Sequence, residues 1–343
     1  MIPKADGKTR ALGIPTIRDR VAQMAAVIVL EPIFEADFPD EQDGYRPGRS
    51  AHDAIRAIHG KVQAGYSEVV DADLSGSFDT IPHHELMKSL ARRIRDGAML
   101  ALLKRWLELA GESTDERGHP QRTTANKDQG KGTPQGAPLS PRLANLHLRR
   151  FVPAWKKRRS GLGHRVVDAE DFVILGRDRA DQAREEREKL MGRLKLKGNE
   201  KKTRIVRGPE ESPDFLGYTL GWCHRREGSR YIGTQPAKKR IVAFWAQISD
   251  LTRRDSGWLP VEMKVEQLNS KLRGRGNYFC LGPVSRAYRV VDDHTRHRLR
   301  QWLNGKQHRR GTRWRRHGAA PLHHELGLVE LTQRTRNFTW AKA

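Results

Sequence analysis

Cysteine is nearly absent: Cys223 and Cys280 are the only two in 343 residues. That excludes a disulfide-stapled scaffold, and neither Cys280 nor the Cys223-His224 pair has zinc-site spacing. Long apolar runs are missing as well. The longest, centred on Ala25–Leu30, falls far short of the ~20 residues that span a bilayer, so no membrane partner is expected. No secretory leader is visible, because Met1 runs into polar Pro3-Lys4-Ala5-Asp6-Gly7-Lys8. A soluble protein of a reducing, cytoplasmic compartment is expected. Acid is the other scarcity: 41 Asp and Glu stand against 65 Lys and Arg, a formal net charge of +24. Solubility needs far less, so a polyanionic partner is implied, and nucleic acid is the default.

The excess is uneven. Residues 1–222 hold 39 basic and 32 acidic residues, net +7, whereas residues 223–343 hold 26 and 9, net +17. The first part therefore reads as a mixed-charge globular region and the second as a polyanion-binding one. Aromatics interleave with the cations of the second part: Tyr231, Trp245, Trp258, Tyr278, Phe279, Trp302, Trp314 and Trp340. Such rings stack on unpaired bases while the charges meet phosphates. Most of these aromatics are expected in the core. Trp314, inside Arg309-Arg310-Gly311-Thr312-Arg313-Trp314-Arg315-Arg316, is the best candidate for a base platform.

Hydrophobic periodicity predicts the elements. Residues 16–30 read as a buried helix carrying Val21, Met24, Ala25 and Ile28, interrupted by Pro32. Residues 67–74 read as a strand with Val70, Ala72 and Leu74 on one face and Asp71 and Asp73 on the other. Helices follow from His83 and across Met99–Leu107; 111–131 is expected to be an exposed loop, and 141–150 a short helix. Residues 165–175 predict a β-hairpin with an acidic turn at 168–171, then an amphipathic helix over 178–194. Two strands are expected in 214–232, and basic helices beyond 236.

Two acidic clusters stand out, Asp71 with Asp73 and Asp168-Ala169-Glu170-Asp171. On neighbouring strands they would form an oxygen-rich site for hard divalent cations. Paired ions can activate a hydroxyl and stabilise the leaving oxygen of a phosphoryl displacement. Spacing alone also fits ordinary surface carboxylates at strand ends.

Ordered motifs supply the context. Ile2 through Thr16, Gly44-Tyr45-Arg46-Pro47-Gly48-Arg49-Ser50, Asp71-Ala72-Asp73 through Phe78-Asp79-Thr80-Ile81, Gly132-Thr133-Pro134-Gln135-Gly136-Ala137-Pro138-Leu139-Ser140-Pro141 followed by Leu143-Ala144-Asn145, Asn199-Glu200-Lys201-Lys202-Thr203, Phe215-Leu216-Gly217-Tyr218, and Leu272-Arg273-Gly274 with Gly276-Asn277-Tyr278-Phe279 follow one another along the chain. In content and order they resemble the group II intron-encoded reverse transcriptase/maturase family. The resemblance implies an α+β right-hand polymerase fold: fingers and a palm with an antiparallel sheet over 1–222, a helical thumb or maturase (X) domain over 223–310, and a basic tail over 311–343. It implies an RNA-directed DNA polymerase using two Mg²⁺ ions, with Mn²⁺ as a substitute, and a splicing role on group II intron RNA. An RNA template with a DNA primer and dNTPs would be the other partners, and the bacterial cytoplasm the setting. By motif position, Asp73, Glu170 and Asp171 would be catalytic, holding metal together with the Leu74 carbonyl. Lys4, Arg10, Phe78 and Gln135 would meet the incoming nucleotide. Arg46, Arg49, Lys202, Arg273, Arg309, Arg310, Arg313, Trp314, Arg315 and Arg316 would contact nucleic acid.

The chain also departs from the family's pattern. Where the family carries Tyr-Ala-Asp-Asp, this chain has Asp168-Ala169-Glu170-Asp171. Glu170 sets its carboxylate one methylene further out, and Asp168 replaces an aromatic with an anion. Ser77 stands where a second aromatic is usual, and Arg275 where the maturase block carries tryptophan. The N-terminal extension that precedes the family's first fingers block is expected to be missing. Two alternative functions therefore stay open: an RNA-binding maturase with an impaired polymerase site, and a shortened relic that binds nucleic acid without specificity.

Overall fold

The computed structural model describes residues 2–3, 9–10, 13–73, 77–114, 119–134, 136–169, 171–195, 203–208, 210–225, 227–306 and 319–334. The chain divides into two compact units, Met1–Gly208 and Pro209–Ala343.

The first unit runs β1 (Ile2–Pro3), β2 (Thr9–Arg10), α1 (Ile17–Glu35), α2 (Ala51–Gln63), β3 (Glu68–Asp73), α3 (Ser77–Thr80), α4 (His83–Ala91), α5 (Gly97–Leu107), β4 (Gly111–Thr114), β5 (Pro120–Thr123), α6 (Ala125–Gln129), α7 (Ser140–Leu148), α8 (Phe151–Arg159), β6 (His164–Asp168), β7 (Asp171–Gly176), α9 (Ala180–Arg193) and β8 (Arg204–Arg207). Four strands form one antiparallel sheet in the order β6-β7-β3-β8. Val70, Val167, Phe172 and Ile174 are buried against Phe151, Val152 and Trp155 of α8 and Ala183, Leu190 and Met191 of α9. β1 pairs with β2, and β4 with β5, as separate two-stranded ribbons.

Helix α1 and the 111–131 segment differ from the sequence expectation. α1 runs through Pro32 to Glu35. Proline removes the N–H that would bond the Ile28 carbonyl, and both residues lie on the exposed side, where water can take that bond. The buried face of α1 is Gln23, Ala26, Val27, Leu30 and Phe34, whereas Val21, Met24 and Ile28 are exposed. From Val21 to Leu30 the helix is apolar nearly all round, so periodicity could not choose the face. Residues 111–131 hold the β4–β5 hairpin and α6 rather than a loop. β5 is exposed throughout, so no inside-outside alternation marks it in the sequence.

The second unit begins with β9 (Asp214–Phe215), β10 (Tyr218–His224) and β11 (Arg230–Pro236), which form a sheet ordered β11-β10-β9. The expected end of the first domain, at 222, falls inside β10, whose strand partners all belong to this second unit. Helices α10 (Lys238–Leu251), α11 (Val261–Tyr278), α12 (Ser285–Lys306), α13 (Ala319–His324) and α14 (Leu331–Arg334) follow. α10, α11 and α12 contribute buried Ile241, Phe244 and Ile248, Val265, Leu268 and Leu272, and Tyr288, Val291 and Leu299. Arg275, at the position where the family carries tryptophan, stacks its guanidinium over Phe244 (4.6 Å) and Phe279 (5.3 Å). A cation–π contact thus occupies the place of an aromatic one. Among the described residues no helix is long and apolar enough to cross a membrane.

Candidate polymerase site

The register of the four-stranded sheet sets the acidic positions in rows. On one rung, Asp168 of β6 pairs with Asp171 of β7, and Asp171 pairs with Asp73 of β3. Direct cross-strand partners share a sheet face, so positions 168, 171 and 73 form one row at the strand ends. The next row on that face is Val166, Val173, Asp71 and Arg204. There Asp71 forms an ion pair with Arg204 (3.3 Å). The register thus sets three carboxylate-bearing positions in one row at one end of the sheet, and carboxylate oxygen is the ligand type that Mg²⁺ and Mn²⁺ take. Leu74 and Glu170 lie outside the described residues, as do Lys4, Gln135, Lys202, Arg309, Arg310, Arg313, Trp314, Arg315 and Arg316. Among the described residues no group of three or more metal-ligating side chains is assembled. The fit of the site to a cation therefore rests on the backbone register.

The hairpin tip carries local strain. Ala169 has a φ of +55°, in the left-handed region that costs a residue with a Cβ roughly 1–2 kcal/mol. Beside the hairpin, residues 41–44 add to the edge of β6. Gln42 bridges Val167 in parallel, the Asp43 N–H donates to the Val167 carbonyl (2.8 Å), and the Val167 N–H donates to the Glu41 carbonyl (2.8 Å). The Glu41 carboxylate accepts from Lys156 (2.7 Å) and buried Arg165 (3.0 Å). Burial raises the Glu41 carboxyl, but these two cations outweigh it and hold the group below its ordinary range.

The remaining predicted residues fall into different roles. Phe78 is buried on α3 and meets the Tyr45 ring edge-on at 6.3 Å between centroids. Its carbonyl accepts from the Thr133 N–H (2.6 Å), which ties α3 to the loop carrying Pro134 and Gly136. Arg10 closes the β1–β2 ribbon opposite Ile2. Arg46 turns inward: it pairs with Glu35 (2.6 Å), donates to the Pro39 and Gln42 carbonyls (2.8 Å each) and covers the Phe38 ring. Its side chain is 6% exposed, so it braces this region instead of offering a cation to nucleic acid. Arg49 is held by Asp40 (2.9 Å) and Asp43 (3.3 Å). Burial pushes the Asp43 carboxyl up, and the Arg49 charge opposes that. Arg273 stays on the exposed surface of α11 beside Glu266 (3.1 Å). Lys238, Arg240, Lys271, Arg286 and Arg289 of α10–α12 are exposed as well.

Of the aromatics interleaved with cations, Phe279 and Trp302 are core, whereas Trp258 is 78% exposed beside exposed Arg253 and Arg254, a surface position that the sequence did not single out. Its setting between Gly257 and Pro260 was the available signal. Asn145, which closes the 132–145 motif block, has a fully buried amide that donates to the Gly44 carbonyl (2.5 Å), a partner that the sequence does not announce.

Residues 2–220 match the family described as reverse transcriptase (RNA-dependent DNA polymerase), and residues 241–319 match the group II intron, maturase-specific domain. Protein YkfC of Escherichia coli (strain K12) is 33% identical over 279 residues, which is 69% of this chain and 70% of that protein. Group II intron-encoded protein LtrA of Lactococcus lactis subsp. cremoris is 26% identical across 81% of this chain and 59% of its own length. A telomerase from Candida albicans, solved with a fragment of telomeric RNA, aligns at a TM-score of 0.49 and 12% identity, over 94% of this chain and 59% of that one. The chain thus spans little more than half of LtrA.

Proposed function

Since this chain belongs to the group II intron-encoded reverse transcriptase/maturase family, we propose that it extends a DNA primer along an RNA template and binds group II intron RNA as a maturase. The observation that carries the polymerase half is the row of positions 168, 171 and 73 across three adjacent strands. Asp73 and Asp171, with Glu170 and the Leu74 carbonyl, would hold two divalent cations. Bound Mg²⁺, or Mn²⁺ in its place, supplies a Lewis acid for the primer hydroxyl and the leaving oxygen. The chain's own groups do the rest. Lys4, Arg10 and Gln135 meet the triphosphate and base of a dNTP, and Phe78, fixed against Tyr45, borders its sugar. The cations of α10–α12 and the 309–316 run take template, primer and intron phosphates, and Trp258 and Trp314 offer faces to unpaired bases.

Primer extension on an RNA template, with the Asp73→Ala variant as control, tests the polymerase half. Extension by the native chain above that control is expected; equal signals reject it. A second reading, a maturase with an impaired polymerase, is favoured by one observation: Asp168 adds an anion directly opposite Asp171. Affinity for the host intron measured against unrelated RNA of equal length tests the maturase half. A preference for the intron that persists at physiological salt supports it. Equal affinities with equal salt slopes leave phosphate attraction alone.

A further inference from the structure

We propose that Gly44 and Asn145 form a clamp that fixes the height of the 168–171 turn, and so sets Asp171 relative to Asp73 without touching metal or substrate. The proposal rests on the polymerase reading of that turn. The 41–44 segment reaches the hairpin through two backbone hydrogen bonds with Val167, and Gly44 then passes against the turn itself. A Cβ on Gly44 would stand within 3.0 Å of the Ala169 nitrogen, 2.6 Å from Asp168 Oδ1 and 2.9 Å from the Asp168 carbonyl carbon. Two of those three atoms are backbone, so any side chain at 44 must push the turn away. The turn is also not a relaxed one: Ala169 sits at φ +55°, a conformation that persists only when its surroundings impose it.

Gly44 is held from the opposite side. Asn145 Nδ2 donates to the Gly44 carbonyl (2.5 Å), and the Asn145 carbonyl accepts from Gln42 Nε2 (3.2 Å). Asn145 and Gln42 are fully buried, so neither amide has bulk water as an alternative partner. From the same helix Arg142 donates to the Tyr45 carbonyl and pairs with Glu31. α7 is anchored by buried Leu143 and Leu146. The path of restraint runs from that core through Asn145 to Gly44, the turn and Asp171. Asn145 and Gly44 are therefore positioning residues. A displacement near 1 Å at a reacting centre costs on the order of 10²-fold in rate.

The test compares Gly44→Ala and Asn145→Asp with Gly163→Ala in the full chain. Gly163 lies at the far end of the same hairpin, where a Cβ would meet the Leu175 carbonyl oxygen at 2.5 Å. It serves as a control for general damage to the sheet. Three readouts are taken: single-turnover primer extension with its dNTP dependence, amide hydrogen exchange, and Tm. Gly44→Ala and Asn145→Asp are expected to lower the maximal extension rate ~10²-fold with little change in KM for dNTP. They should also speed exchange of the Asp43 and Val167 amides about tenfold while β8 keeps native rates. Gly163→Ala should lower Tm and leave the rate per folded molecule near native. If the native chain extends no primer, the polymerase reading fails, yet the exchange measurement still decides the clamp. Should Gly44→Ala not fold, Asn145→Asp carries both readouts. Native exchange at Asp43 and Val167 in the folded variants, or rate losses that only track Tm as in Gly163→Ala, would overturn the proposal.

Discussion

Asp171 opens β7 directly opposite Asp73, the last residue of β3, while Asp168 faces the same Asp171 from β6. Two acids far apart in the sequence thus become immediate neighbours by strand register alone. The third acid makes this rung unusually anionic. Like charges directly opposite one another destabilise a strand pair by roughly 0.2–1 kcal/mol each, and a cation between them would reverse the sign.

Restoring the family's residues should therefore raise polymerase activity. Asp168→Tyr removes the surplus anion opposite Asp171, and Glu170→Asp withdraws one methylene from the cluster. The double variant is expected to extend a primer at least about tenfold faster than the native chain under saturating Mg²⁺, given how steeply rate depends on such geometry. Rates equal to native would place the limitation elsewhere than the turn.

Acid should weaken the first unit through His147. This imidazole is buried on α7 beside the Leu194 carbonyl (3.2 Å), and burial pushes its pKa down to about 4 from the ordinary 6.5. The unfolded chain takes up a proton below pH 6.5 that the folded chain refuses until about pH 4. Stability is thus fully present above 6.5 and falls as pH drops through that window, by up to about 3 kcal/mol at its lower end. Urea unfolding at pH 7 and pH 5 should show a larger loss for the native chain than for His147→Gln. Identical losses would contradict the assignment.

Asp292 should hold α14 in place. Its buried carboxylate accepts from the Leu331 N–H (2.9 Å), the Thr332 N–H (2.9 Å) and the Thr332 hydroxyl (2.7 Å). Burial raises its pKa, and these hydrogen bonds oppose the rise. Asp292→Ala removes the acceptor for two N–H groups, at a cost of about 1–3 kcal/mol. A lower Tm together with faster proteolysis between 325 and 334 is the expected outcome; native behaviour in both would refute the role.

The sheet was legible because β3 and the β6–β7 hairpin alternate or run apolar between turn residues, and family order then singled out Asp73 and Asp171. The face of α1 was not legible: Val21, Met24 and Ile28 are as apolar as Ala26, Val27 and Leu30, and only the tertiary partners of the second set separate them. Arg46 looked like a nucleic-acid contact because its motif is basic. Its burial depends on Glu35 and two loop carbonyls that no local pattern announces. Asn145 stood in a recognisable motif block, but its contact was not legible for the same reason, since its partner Gly44 lies 101 residues away in the chain.

Positions 73 and 171 are expected to share divalent cations. Mn²⁺ binding followed by electron paramagnetic resonance on the full chain tests it without requiring catalysis. The native protein should bind Mn²⁺ at the site, Asp73→Asn and Asp171→Asn should each abolish that binding, and the double variant should lose nothing more. Mn²⁺ binding that survives either single substitution unchanged would show that the two positions do not share a cation.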